Sequence, residues 1–250
     1  MYSKAALLLV LAQAFAAPVE LEERQSCPKI HVFGARETTA SPGYGSTARF
    51  VNDILSAYPG LFTSNRQIRI DQLMIVTIGS TAEAISYPAC GGQSSCGGDS
   101  YAQSVQAGVK AVQSQVSSFA SRCPSTQLVY VGHSQGSQIG DDTLCGGGDP
   151  NNGVTNTAAT IAQYNFKAII WTGDPRFVPG ESFHVGSATH GGFAARPAAI
   201  TCGKYQGLIQ SYCDSGDEYC SNGSNPNTHN QYQTEYGSAA LAFVKSKLTA

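Results

Sequence analysis

Apolar residues recur along this chain in two alternating periods. Residues 30–33 form a short β-rich run that stops at Gly34. Residues 47–55 have helical spacing, with Phe50, Val51, Ile54 and Leu55 on one face. Ile85 and Tyr87 predict a short strand before the glycine-rich turn at Cys90. Between 105 and 119, Val105, Val109, Val112, Val116 and Phe119 recur at three- and four-residue steps, which predicts a long helix. Residues 128–131 are continuously apolar, as a strand buried on both faces should be. Residues 168–171 repeat that pattern and end at Gly173-Asp174-Pro175. Residues 238–248 predict a last helix, with Leu241, Phe243 and Val244 in its apolar set. Strands alternating with helices predict an α/β fold, with a central parallel sheet covered by helices on both sides. One domain from Gln25 to the C-terminus accounts for the pattern.

The first residues fall outside this pattern. Lys4, the apolar run 5–12 and Ala14-Phe15-Ala16 read as a signal peptide over residues 1–16. Residues 17–24 read as a short acidic pro-segment. Eight cysteines follow, an even number that implies disulfides in an oxidising, extracellular setting. They include no C-x-x-C pair, so a zinc site is a poor reading and no metal or other cofactor is expected. Asn222-Gly223-Ser224 is a glycosylation sequon. Charged residues make up 13% of the chain and the net charge is −2. No basic field is present to hold nucleic acid or an anionic membrane, and a neutral partner such as a polysaccharide fits better.

The most informative stretch runs from Val129 to Gly136, where an apolar strand leads into Gly132-His133-Ser134-Gln135-Gly136. In a G-x-S-x-G turn the two glycines let strand and helix approach closely, and the serine is carried on a sharp bend at the sheet's edge. The following helix aims N–H groups and its positive end at the reacting oxygen. The bland reading is a tight turn whose serine caps the helix. A serine nucleophile needs a base, and the base needs an orienting acid, in the chain order Ser, acid, His. Three histidines follow: His184, His190 and His229. His229 sits in a loop just before the last helix, where the base is expected. Asp174, Asp214 and Asp217 are acid candidates. Spacing leaves Asp217, between Cys213 and Cys220, and Asp174, at the end of a strand, close to even.

Several long runs resemble the cutinase-like esterases, and within them the fungal acetylxylan esterases. They include His31 to Thr39, Tyr87 to Gln93, Gly132 to Gly136, Leu144 to Pro150, Gly173 to Arg176, Ser211 to Asp214, Thr228-His229 and Glu235-Tyr236-Gly237. The resemblance implies a three-layer α/β-hydrolase-like fold and a secreted, monomeric serine esterase acting on acetylated xylan, with a cutinase or short-chain polyesterase as the alternative. An inactive secreted carbohydrate-binding or effector protein is the reading from another class. The resemblance also implies Ser134, Asp217 and His229 as the triad. It implies the backbone N–H groups of Thr38 and Gln135 as the oxyanion hole, and Tyr219 as the ring that narrows the pocket to acetyl size. It further implies the pairs Cys27–Cys123, Cys90–Cys96, Cys145–Cys202 and Cys213–Cys220. The chain departs from the family at His133, where tyrosine is usual, and at Glu218, where proline is expected. The largest departure is the segment 61–79, which interrupts a Tyr-Pro-Gly to Ser-Thr-Ala junction. We read it as translated intron sequence, with a surface loop as the other reading.

Overall fold

A computed structural model describes residues 27–60 and 79–249. The signal peptide, the pro-segment and, apart from Gly79, the 61–79 insertion lie outside the described residues. The strands are β1 (Ile30–Ala35), β2 (Ser80–Ala84), β3 (Gln127–His133), β4 (Phe166–Thr172), β5 (His184–Val185) and β6 (Ile209–Tyr212). The helices are α1 (Ala48–Ala57), α2 (Tyr101–Arg122), α3 (Gln135–Leu144), α4 (Pro226–His229), α5 (Tyr232–Glu235) and α6 (Gly237–Lys247). The strands form one sheet in the order β2-β1-β3-β4-β6-β5, and every pairing is parallel.

The alternation of side chains along the strands builds two cores. Phe33, Leu128, Tyr130, Ile169 and Trp171 point to one face, where α2 supplies Val105, Val112, Val116 and Phe119 and α3 supplies Ile139. Val32, Val129, Val131, Ala168 and Ile170 point to the other, against Phe50, Val51 and Ile54 of α1 and Ala240 and Val244 of α6. The result is a three-layer α/β/α sandwich. All seven residues of β3 are buried, which explains its unbroken apolar run. Helix α2 begins with a capping box in which Ser100 accepts from the Gln103 N–H and Gln103 reaches back to the Ser100 N–H.

One strand lies earlier than its expected position. β2 ends at Ala84, and Ile85 and Tyr87 are buried in the loop beyond it. Their apolar character comes from packing under α2 rather than from a ladder. The ends of the insertion meet: a Cβ built on Gly79 would lie 2.6 Å from Gly60 N. Disulfides join Cys27–Cys123, Cys90–Cys96, Cys145–Cys202 and Cys213–Cys220. Among the described residues no helix is long and apolar enough to cross a membrane.

Candidate active site

The chain turns sharply between β3 and α3, and Ser134 stands on that turn. Its φ of 54° and ψ of −123° are a conformation that non-glycine residues rarely adopt. The turn is held by the Ser134 N–H, which donates to the Thr172 carbonyl at 2.9 Å. Its tightness explains both flanking glycines. A Cβ on Gly132 would lie 2.6 Å from Gly136 O, and a Cβ on Gly136 would collide with the Ala35 carbonyl of β1. The Ser134 side chain makes no capping bond to its helix, so the role of a plain N-cap is not the one it takes.

His229 ends the single turn α4, which Pro226 opens and Asn225 caps by accepting from the Asn227 N–H at 3.1 Å. Its Nδ1 lies 2.7 Å from Asp217 Oδ2. Asp217 sits inside the ring closed by Cys213–Cys220. The two segments are stitched together by backbone bonds, Asn225 N–H to Gly216 O and Gly223 N–H to Asp217 O, both 2.9 Å. The Asp217 carboxylate is fully engaged. Oδ1 accepts from the Tyr219 and Cys220 N–H groups at 2.7 and 3.2 Å, and Oδ2 accepts from the Tyr232 hydroxyl at 2.8 Å as well as from His229. Burial alone raises its pKa, but the bond to His229 and its charge, with the Tyr219 N–H and Tyr232 hydroxyl, outweigh that and hold the carboxyl below its usual range.

Asp174 is placed elsewhere. It is fully buried and its Oδ1 accepts from the Arg176 N–H at 2.9 Å, with no contact to His229. Burial, and then the neighbouring Asp141 charge, push its carboxyl well above the usual range, which disfavours the charged form needed to orient an imidazole. Asp214 accepts from the Ser187 and Tyr236 hydroxyls instead. His184 Nε2 lies against the Cys213 carbonyl, and His190 is an exposed neighbour of Thr189.

Ser134 and His229 line one cleft of about 450 Å³, together with Thr38, Tyr219 and Phe193. No hydrogen bond joins Ser134 Oγ to His229 among the described residues. In unliganded sites this bond is often long and tightens only with substrate bound. The N–H of Thr38, which lines the cleft, and that of Gln135, directly after Ser134, have no acceptor among the described residues. The loop carrying Thr38 is locked by Arg36, which donates to the Tyr87 and Pro88 carbonyls at 2.5 and 3.2 Å, and by Glu37, which accepts from the Ser46 N–H and hydroxyl. Gln135 is pinned from its side chain, which accepts from Ser104 at 2.9 Å and donates to the Cys90 carbonyl at 3.1 Å.

His133 is buried against the site. Its Nδ1 is 2.8 Å from Thr172 Oγ1, and its ring centroid lies 4.8 Å from that of His229. Burial, and then the His229 charge, lower its pKa to about 4, so it is neutral near pH 7. Tyr219 lies on the open side, its ring centroid 4.4 Å from His229. Asn222, the sequon residue, is exposed.

Two contributors escaped the sequence. Tyr232 donates to Asp217, and only its position three residues after His229 hints at it. Gly173 has φ of 57°, and a Cβ there would lie 2.7 Å from the His229 ring and 3.3 Å from Asp217 Oδ2. Its place directly after an apolar strand was the available signal.

Together the parallel sheet, the strained serine and the carboxylate-paired imidazole define an α/β protein with the layout of a serine hydrolase. The chain belongs to the cutinase family, whose model, described as Cutinase, matches residues 26–248. It is 56% identical to acetylxylan esterase 2 of Talaromyces purpureogenus, over 99% of this chain and all of that one. It is 54% identical to cutinase 11 of Verticillium dahliae, over 97% of this chain and 77% of that one. A solved acetylxylan esterase structure superposes with a TM-score of 0.80 at 57% identity, covering 90% of this chain and all of that one.

Proposed function

We propose that this chain is a secreted, monomeric serine esterase that removes acetyl groups from xylan, with Ser134 as nucleophile, His229 as general base and Asp217 as the acid that orients it. The observation that carries the reading is the His229–Asp217 pair, 2.7 Å apart, sharing a cleft with a strained Ser134. The high identity to an acetylxylan esterase along the whole chain supports the acetyl substrate. The four disulfides are consistent with an extracellular location.

The reaction is two-step acyl transfer. His229 Nε2 takes the Ser134 proton as Oγ attacks the ester carbonyl. The Thr38 and Gln135 N–H groups receive the developing oxyanion, each worth about 3 kcal/mol in the transition state. His229 then returns the proton to the departing sugar oxygen, and water hydrolyses the acetyl-enzyme by the same steps. Asp217 stays ionised throughout and fixes the proton on Nδ1. Its four hydrogen bonds, three of them besides His229, leave it no freedom to turn away. Asn222 is an exposed candidate for glycosylation, away from the cleft lining.

A cutinase-type activity is the second reading, and the similarity to cutinase 11 favours keeping it. The Tyr219 ring against His229 argues for a short acyl group. A series of p-nitrophenyl esters, run beside acetylated xylan and a cutin-like polyester, is the test. The wild type should prefer acetate to butyrate by about tenfold, a discrimination of the size that one or two methylenes give. Tyr219→Ala should shrink that preference by raising butyrate turnover. A wild type that prefers butyrate and cleaves the polyester makes the chain a cutinase.

A further inference from the structure

Phe193 and Tyr219 are the large apolar side chains exposed among the described residues, at 56% and 40%, and both line the Ser134 cleft. Tyr219 has a place in the acyl side of the reaction already described. Phe193 has none, and leaving a phenylalanine half in water forgoes part of the free energy of burying it. Its ring stands edge-on to Tyr101, centroids 5.7 Å apart at 65°, so one broad face is left open.

The ring is carried on a backbone that is unusually well fastened. The Gly192, Phe193, Ala194 and Arg196 N–H groups donate to the carbonyls of Phe177, Tyr219, Pro175 and Arg176, all at 3.0–3.1 Å. A buried charge cluster backs this segment. Arg176 donates to the Ala194 carbonyl at 3.2 Å and lies 3.2 Å from Asp142, and Arg196 pairs with Asp141 and Glu181. Tyr101 is fixed in turn by its hydroxyl, which donates to Gln138 at 2.6 Å. An exposed ring on a rigid mount is a surface prepared for a ligand rather than a loop tip.

The chemistry of the cleft selects that ligand. Among its described lining residues there is no lysine or arginine, and the Glu37 carboxylate is turned inward onto Ser46. The amides of Gln93 and Asn230 also line the cleft. An uncharged pyranose ring matches this set, with an apolar C–H face for an aromatic ring and hydroxyls for amides. A long aliphatic chain does not, because it would cover the Gln93 and Asn230 amides without offering them a hydrogen-bond partner. We propose that Phe193, steadied by Tyr101, is the stacking platform for a xylosyl ring of the polymer, next to the acetyl group under attack. This rests on the acetylated-xylan reading above and adds to it the residue that grips the polymer.

The test compares acetylated xylo-oligosaccharide with triacetin, an acetyl ester that carries no ring. In Phe193→Ala the ratio of kcat/KM for the oligosaccharide to kcat/KM for triacetin should fall about tenfold, the equivalent of one aromatic contact, and the change should lie in KM. Phe193→Leu, which keeps apolarity without a ring, should show the same fall, and Phe193→Trp should restore the ratio. A ratio unchanged in Phe193→Ala overturns the platform. So does a ratio retained by Phe193→Leu, or a loss of equal size on both substrates. A wild type that cleaves triacetin but not the oligosaccharide overturns the acetylxylan reading first and the platform with it, so the wild-type assay separates the two failures.

Discussion

Ser134→Ala is expected to lower turnover of p-nitrophenyl acetate by on the order of 10⁶-fold and to leave the fold intact. The size follows from the way a nucleophile and its base act as a unit, so that removing the nucleophile alone forfeits nearly all of the machinery. What survives comes from binding and from the proposed oxyanion donors, the backbone N–H groups of Thr38 and Gln135, which the change leaves untouched. The fold is expected to hold for two reasons. The hydroxyl makes no capping bond, so none is lost. The positive φ is imposed by the packing of Gly132 and Gly136 against their neighbours, and alanine meets the same backbone cost there as serine. Turnover with thermal unfolding as the companion measurement checks both halves.

Asp217→Asn should lower kcat on the same ester by about 10⁴-fold with little change in KM. The amide is close to the carboxylate in size, but it changes which groups are satisfied. Oδ2 of the aspartate accepts from both His229 Nδ1 and the Tyr232 hydroxyl, while Oδ1 accepts two N–H groups of its own ring. An asparagine must keep its oxygen toward the Tyr219 and Cys220 N–H groups, because those donors cannot turn. Its NH₂ then faces His229 and donates to Nδ1. That places the imidazole proton on Nε2, the nitrogen that must be free to take the Ser134 proton. In the wild type the carboxyl is held below its usual range, so it stays ionised and able to accept the Nδ1 proton in mildly acidic solution. Steady-state kinetics of the variant, with KM measured separately, distinguishes this from a loss of binding.

The parts that were readable from sequence are those governed by local sterics and period. The strand before Ser134 is buried on both faces and therefore continuously apolar. The two glycines beside Ser134 are forced by backbone contacts within a few residues. The helix around Val105, Val109, Val112 and Val116 follows from one buried stripe. Strand β2 was displaced because its residues, Ser80 to Ala84, are all half-buried at the sheet edge and carry no apolar alternation, whereas the buried Ile85 and Tyr87 of the next loop do. β5 and β6 are two and four residues long, too short to show a period.

The acid was the hardest residue to read. Asp174 and Asp217 have comparable local settings that spacing leaves even; the family resemblance points to Asp217, and the fold puts Asp174 against the Arg176 N–H and Asp217 against His229. The same holds for Tyr232 and Gly173, whose parts depend on contacts made across the sheet's edge. Phe193 carried no periodic signal either, since its exposure is a property of the finished surface.

The most direct measurement of the central assignment is covalent. The protein is treated with diethyl p-nitrophenyl phosphate, an organophosphate that phosphorylates an activated serine, and the modified peptide is mapped by mass spectrometry. A single stoichiometric adduct on Ser134, formed in step with loss of esterase activity and slowed severely in His229→Ala, is the expected result. An adduct on another residue, or full activity with Ser134 modified, contradicts the assignment.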